Sequence, residues 1–280
     1  PAALGSNVRS SWRMHPDGGQ IAFTRYWSHR QGRIRMMQML VSGELAKEMC
    51  TANLTKVGKA IEQYKNDHGD VPNWLSDLYP DYLQDTHLLL CPADHSGGSA
   101  GAIGFLTRWL KDPETPCSYG YMFGPGTTQW VYWMAAALPV DLPAREGMTW
   151  KDARKLQMEY FGPVVPIVQC WHHSPRIFLA YDGDIYEAEG RWELSPRAGA
   201  GLLSQLKAAM KTEPGTWAQR YDTQRFLFLL RLGAGDEAAL EELLETHLKE
   251  HPDDEAAREF LAELPGLRFC RDGSLEAVDD

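Results

Sequence analysis

The stretch Cys170 to Glu187, CWHHSPRIFLAYDGDIYE, commits this chain to an antiparallel sheet. Arg176 to Tyr181 is rich in β-branched and aromatic residues, and Asp184 to Ala188 resumes the same character. Between them, Asp182-Gly183 is the pair favoured in two-residue type I′ hairpin turns, where both central residues take positive φ. A sheet with one buried face needs a second layer, so the rest of the chain must supply it.

The best candidate for that layer is Glu44 to His68. Leu45, Met49, Leu54, Val57, Ile61 and Tyr64 recur at helical spacing, which predicts one buried stripe, with Lys47, Lys56, Lys59 and Glu62 facing solvent. Gly69 follows as the expected C′ residue. The intervening chain is turn-rich, with a Gly/Ser loop at 96–102. Strands are expected over Cys117 to Phe123 and Gln129 to Ala137, and a Thr149-capped helix runs to Tyr160, with Asp152 at its N3 position. From Ser195 the pattern is helical, over Leu202 to Lys211, Trp217 to Leu232, Glu237 to Glu250 and Asp254 to Leu264. Ahead of the long helix, Pro16-Asp17-Gly18-Gly19 predicts a hairpin turn before strand-like Gln20 to Trp27. The expected fold class is therefore α+β, a long helix packed on a small antiparallel sheet, with a C-terminal helical subdomain. Its segments are a β-hairpin over 1–43, the α+β domain over 44–194 and the helical part over 195–280.

Charge and composition narrow the partners. A net charge of −10 argues against nucleic acid, whose phosphates need clustered Lys and Arg. No apolar run approaches the length of a membrane span. The five cysteines include no C-x-x-C pair, so a zinc ribbon or finger is not indicated. In an oxidising compartment Cys50, Cys91, Cys117 and Cys170 are the disulfide candidates, with no connectivity readable from their spacing.

Within CTANLTKVGKAIEQYKNDHGDVPNWLSDLYPDYLQDTHLLLCPAD, the ordered features are Cys50, Asn53-Leu54, Gly58, Tyr64, Asp67-His68-Gly69, Pro72, Leu75, Leu78, Pro80, Tyr82-Leu83 and Cys91-Pro92-x-Asp94. Ser118-Tyr119-Gly120-Tyr121 follows, then His172, nine residues and Asp182-Gly183. This set, over roughly residues 45 to 190, resembles the pseudopilins and type IV pilin-like proteins, in particular the prepilin-like group with a His, nine residues, then Asp-Gly. The resemblance implies a pilin-like fold, an extracytoplasmic location, protein partners among envelope or filament components, and non-enzymatic structural or adaptor work in a secretion or filament system. The chain departs from that family where an apolar membrane helix is usual: Arg25, His29, Arg30, Arg33 and Arg35 occupy that place. HPDGGQIAFTR, within 12–40, resembles one blade repeat of the TolB-type propellers, and residues 217–264 resemble a tetratricopeptide-type helical hairpin.

Two other functions compete with the adaptor reading. His172, His173, Asp182 and Asp184 carry donor groups for a metal-dependent enzyme, Zn²⁺ for the imidazoles and Ca²⁺ for the carboxylates. No motif demands either ion, and in an extended segment the two imidazoles point to opposite faces. Trp130 and Tyr132, on one face of an expected strand, are candidates for a glycan- or peptide-binding surface.

Overall fold

The computed structural model describes residues 43–99, 112–126, 147–213, 216–233 and 237–264, together with the backbone of four short strands at 11–14, 20–23, 267–269 and 275–277. Trp130, Tyr132, the expected strand at 129–137 and Cys270 lie outside the described residues, as do the five basic residues named above. The first two strands, β1 (Ser11–Met14) and β2 (Gln20–Phe23), pair antiparallel around the Pro-Asp-Gly-Gly stretch.

Helix α1 (Gly43–His68) runs to the expected end, where Gly69 at φ +76° donates its N–H to the Lys65 carbonyl at 2.8 Å. The buried face is Ala46, Cys50, Leu54, Val57, Ala60 and Ile61. This corrects the predicted stripe at its start: Leu45 and Met49 are each 45% exposed. Ala46, Cys50, Leu54, Val57 and Ile61 follow steps of four, four, three and four, so they stay on one line; Leu45 and Met49 sit one position behind it.

The sheet under α1 is an antiparallel meander, β3 (Gly120–Tyr121), β4 (Pro166–Cys170), β5 (Arg176–Ala180) and β6 (Ile185–Ala188), in that spatial order. β3 is shorter than expected, although its neighbours Tyr119, Met122 and Phe123 are buried with it. Helix and sheet meet closely because Gly58 has no side chain: a Cβ there would lie 3.0 Å from a Leu179 methyl. At the edges, Lys47 Nζ reaches Glu187 at 2.6 Å, and Lys65 Nζ stands 3.8 Å over the Tyr181 ring.

The β5–β6 hairpin forms where expected but with a three-residue loop, Tyr181 to Gly183. Gly183 (φ +88°) donates to the Ala180 carbonyl at 3.0 Å, and Ala180 N–H donates to the Asp184 carbonyl at 2.8 Å. The longer loop is held by Asp182, whose carboxylate accepts the Asp184 N–H at 3.1 Å, and by Asp182 N–H donating to the Pro163 carbonyl. The positive φ required of the glycine is met; the two-residue turn is not.

Helix α2 (Trp150–Phe161) starts on the predicted capping box, Thr149 with Asp152. Helix α3 (Pro196–Thr212) begins six residues before the expected Leu202, because Ser195 caps it and Pro196 occupies its first position, where a missing N–H costs nothing. It packs on the end of α2 so tightly that a Cβ at Gly201 would lie 2.3 Å from the Phe161 carbonyl oxygen. Helices α4 (Thr223–Gly233), α5 (Glu237–Glu250) and α6 (Glu255–Glu263) follow, with Phe260 meeting Trp217 at a tilt and Phe226 edge-on. Asp254 caps α6 and also accepts Trp217 Nε1 at 2.9 Å and meets His247 Nε2 at 2.8 Å. One continuous apolar core joins the sheet and the helical part, from Cys50 to Leu264. Among the described residues, no helix is long and apolar enough to cross a membrane. The last strands, β7 (Leu267–Phe269) and β8 (Leu275–Ala277), pair with each other.

Candidate metal centre

Four side chains from three separate stretches of the chain converge under α1, with Cys170 and His173 only three residues apart. Cys50 is on its buried face, Cys170 ends β4, His173 stands in the turn between β4 and β5, and Cys91 follows the short 3-10 turn Thr86–Leu89. One donor atom from each lies within 4.8 Å of all the others. Cys91 Sγ is 3.2 Å from His173 Nε2. The three cysteines are between 0 and 2% exposed, so the cluster is closed to solvent on the sulfur side.

Each donor is placed by a local cause. Cys50 takes an inward position on the unbroken stripe of α1, and Cys170 belongs to a strand in which every residue is buried. Cys91 is brought in by the loop that follows it, locked by Asp94. That carboxylate accepts Ser96 Oγ at 2.6 Å, Ser118 Oγ at 2.7 Å, Ser96 N–H at 2.8 Å and Gly98 N–H at 2.9 Å. Burial alone would push the Asp94 carboxyl up, but these bonds outweigh it and hold the group below the usual carboxylate range. The Cys91-Pro92-x-Asp94 pattern thus has a physical reason: the aspartate shapes the turn that presents the cysteine.

The thiols are electrically coupled. Cys91 is pulled well below an ordinary thiol by hydrogen bonds from Cys170 and Cys50, helped by His173 and the Ala93 N–H. Cys170 is pushed up by the same bonds to Cys50 and Cys91 and by burial. The Tyr119 hydroxyl lies 3.7 Å from Cys50 Sγ and completes the surroundings. Cys117 stands apart from the cluster; burial pushes its thiol up to about 12, and its sulfur donates to the Tyr119 carbonyl. The structure carries Cys50, Cys91, Cys117 and Cys170, the disulfide candidates, as free thiols, and it brings three of them together.

The metal set predicted from sequence divides into three places. His173 joins the sulfur cluster. His172 turns to the Asp94 loop, with its Nε2 at 3.7 Å from Asp94 Oδ2, beyond hydrogen-bond reach. Asp182 and Asp184 both bind Arg197 of α3, at 2.8 and 2.7 Å, where they tie the hairpin loop to the helix. Both imidazoles stand in the bend between β4 and β5, but only His173 reaches the sulfurs; His172 Nε2 is buried with no hydrogen-bond partner among the described residues. Sequence reasoning missed Cys50, Cys91 and Cys170 as donors because local ligand spacing was the signal sought, and these three come from separate elements.

A recess of about 140 Å³ between α1 and the hairpin, lined by Gly58, Ile61, Lys65, Leu179 and Tyr181 among others, is smaller than the ~300–1,000 Å³ of usual small-molecule sites. The described fold defines an α+β protein with a small four-stranded antiparallel sheet and a helical extension. Comparison with family models, curated proteins and solved structures finds no match to this chain.

Proposed function

We propose that this chain is a non-enzymatic structural or adaptor protein of a cell-envelope secretion or filament system, built on a pilin-like α+β domain and working outside the cytoplasm. The observation that supports this reading is the use to which the motif residues are put. Gly69 ends α1, Gly58 lets α1 approach the sheet, Asp94 locks a loop, and Asp182-Gly183 closes a hairpin anchored to Arg197. Each serves architecture, and Asp182 and Asp184 of the enzyme reading are engaged by Arg197, while His172 lies against the Asp94 loop, away from both.

An adaptor needs a surface for its partners, and the outward side of α1 offers apolar Leu45 and Met49, with Tyr79 exposed on the following loop. The test is photo-crosslinking in the source cell from positions 45, 49 and 79, combined with cell fractionation. Recovery in the envelope fraction, crosslinked to secretion or filament components, is the expected result. A protein found in the cytoplasmic fraction, with no envelope component attached, would overturn the reading.

A further inference from the structure

We propose that Cys50, Cys91, Cys170 and His173 bind one Zn²⁺ ion in a closed tetrahedral site that fastens α1 to the sheet. The donor set is the first reason. Three thiolates and one imidazole form a standard structural zinc shell, and soft sulfur donors exclude Ca²⁺ and Mg²⁺, which take oxygen. Of the two ions suggested by the sequence, this site accepts zinc.

Geometry is the second reason. Zinc bonds of about 2.3 Å to sulfur and about 2.0 Å to nitrogen put tetrahedral donors roughly 3.5–3.8 Å apart. The four donors lie within 4.8 Å of one another, and the Cys91–His173 edge is 3.2 Å. A contraction of about 1 Å at the longest edge, within side-chain reach, closes the shell.

The surroundings are the third. Metal thiolates are steadied by hydrogen bonds to sulfur, and here the Ala93 N–H reaches Cys91 while the Tyr119 hydroxyl neighbours Cys50. All four tetrahedral positions are filled by the protein and the cysteines are shut from solvent, so no position is open for a water or substrate. The site is structural. Its ion would cross-link the first helix, the loop before β3, the end of β4 and the β4–β5 turn.

The competing arrangement is a disulfide between two of the three cysteines, and one experiment separates the two. The full, untagged chain is purified without chelator or added metal. Zinc is then measured by elemental analysis, and free thiols by alkylation and intact mass under denaturing, non-reducing conditions. One zinc per chain with Cys50, Cys91 and Cys170 all reduced is expected. A disulfide among these three, absence of metal, or stoichiometric iron or copper in place of zinc overturns the proposal.

Variants test the ligands. Cys91→Ser and His173→Ala should each retain less than about 0.1 equivalent of zinc after dialysis, whereas His173→Cys, which supplies a fourth thiolate, should keep it. Cys117→Ser, outside the cluster, should also keep it. If the ligand variants fail to fold, replacement of zinc by Co²⁺ in the unaltered chain decides: intense tetrahedral visible bands with sulfur-to-metal charge transfer are expected, and the weak bands of octahedral oxygen coordination overturn the site.

Discussion

Asp94→Ala should be among the most damaging single changes outside the apolar core. The carboxylate accepts four hydrogen bonds between 2.6 and 2.9 Å, but the four donors differ in what they can do afterwards. Ser96 is partly exposed, so its N–H and hydroxyl can turn to water at little net cost. Gly98 and Ser118 are buried, and their N–H and hydroxyl are left without a partner. At about 1.5–3 kcal/mol for each lost bond to a charged group, these two bonds give roughly 3–6 kcal/mol. Asp94→Asn, which keeps the shape but turns an amide N–H₂ toward donors, should cost about 2–3 kcal/mol.

Urea unfolding at neutral pH, followed by tryptophan fluorescence, measures this. With a slope of about 2–3 kcal/mol/M, the Asp94→Ala midpoint should fall by roughly 1–3 M. The pH dependence carries a sign. Asp94 is held below the unfolded carboxyl value near ~3.9, so its contribution is complete above that value and is lost as pH falls through the folded pKa. The gap between unaltered and Asp94→Ala protein should therefore shrink on acidification below about pH 4. A midpoint for Asp94→Ala within about 0.2 M of the unaltered chain, or a gap that widens in acid, would refute the account of this loop.

Two further outcomes test the helical half. Asp254→Ala removes the α6 cap and strands Trp217 Nε1 and His247, so it should destabilise by about 3 kcal/mol, with Asp254→Asn recovering part, as read by thermal unfolding. Gly201→Ala tests the α2–α3 contact by its sign. In an open helix the change stabilises by about 1 kcal/mol, but here the new methyl meets the Phe161 carbonyl and the Val164 side chain, so a net loss of about 1–3 kcal/mol in urea unfolding is expected.

Much of this fold is legible in the sequence because its signals are local. The Thr149 capping box, the Gly69 stop and the α5 boundaries stand as read, since caps act on groups within one turn. Where a longer-range partner decides, the reading shifts. Pro196 and Gly201 look like helix breakers, yet α3 starts on the first and runs through the second, whose missing side chain lets it lie against α2. Leu45 and Met49 look like core by hydrophobicity, yet small Ala46 and Cys50 take the inward places. The cysteine cluster was the least legible. His173 could be named as a donor from its neighbours, and Cys170 stands only three residues before it, but nothing near Cys50 or Cys91 announces that they share the pocket, because only tertiary packing brings them in.

The contacts between α1 and the sheet set an order in time. The Lys47–Glu187 pair joins residues 140 positions apart, and Gly58 waits for Leu179 of β5. During synthesis α1 emerges long before either partner exists, and a single amphipathic helix draws most of its stability from packing. Its inward face, Cys50 included, therefore spends the interval exposed, until the hairpin at 176–188 has been made. A helix made early is thus among the last of the described parts to be settled. The window in which Cys50 can be lost to a wrong partner therefore stays open until that long loop closes.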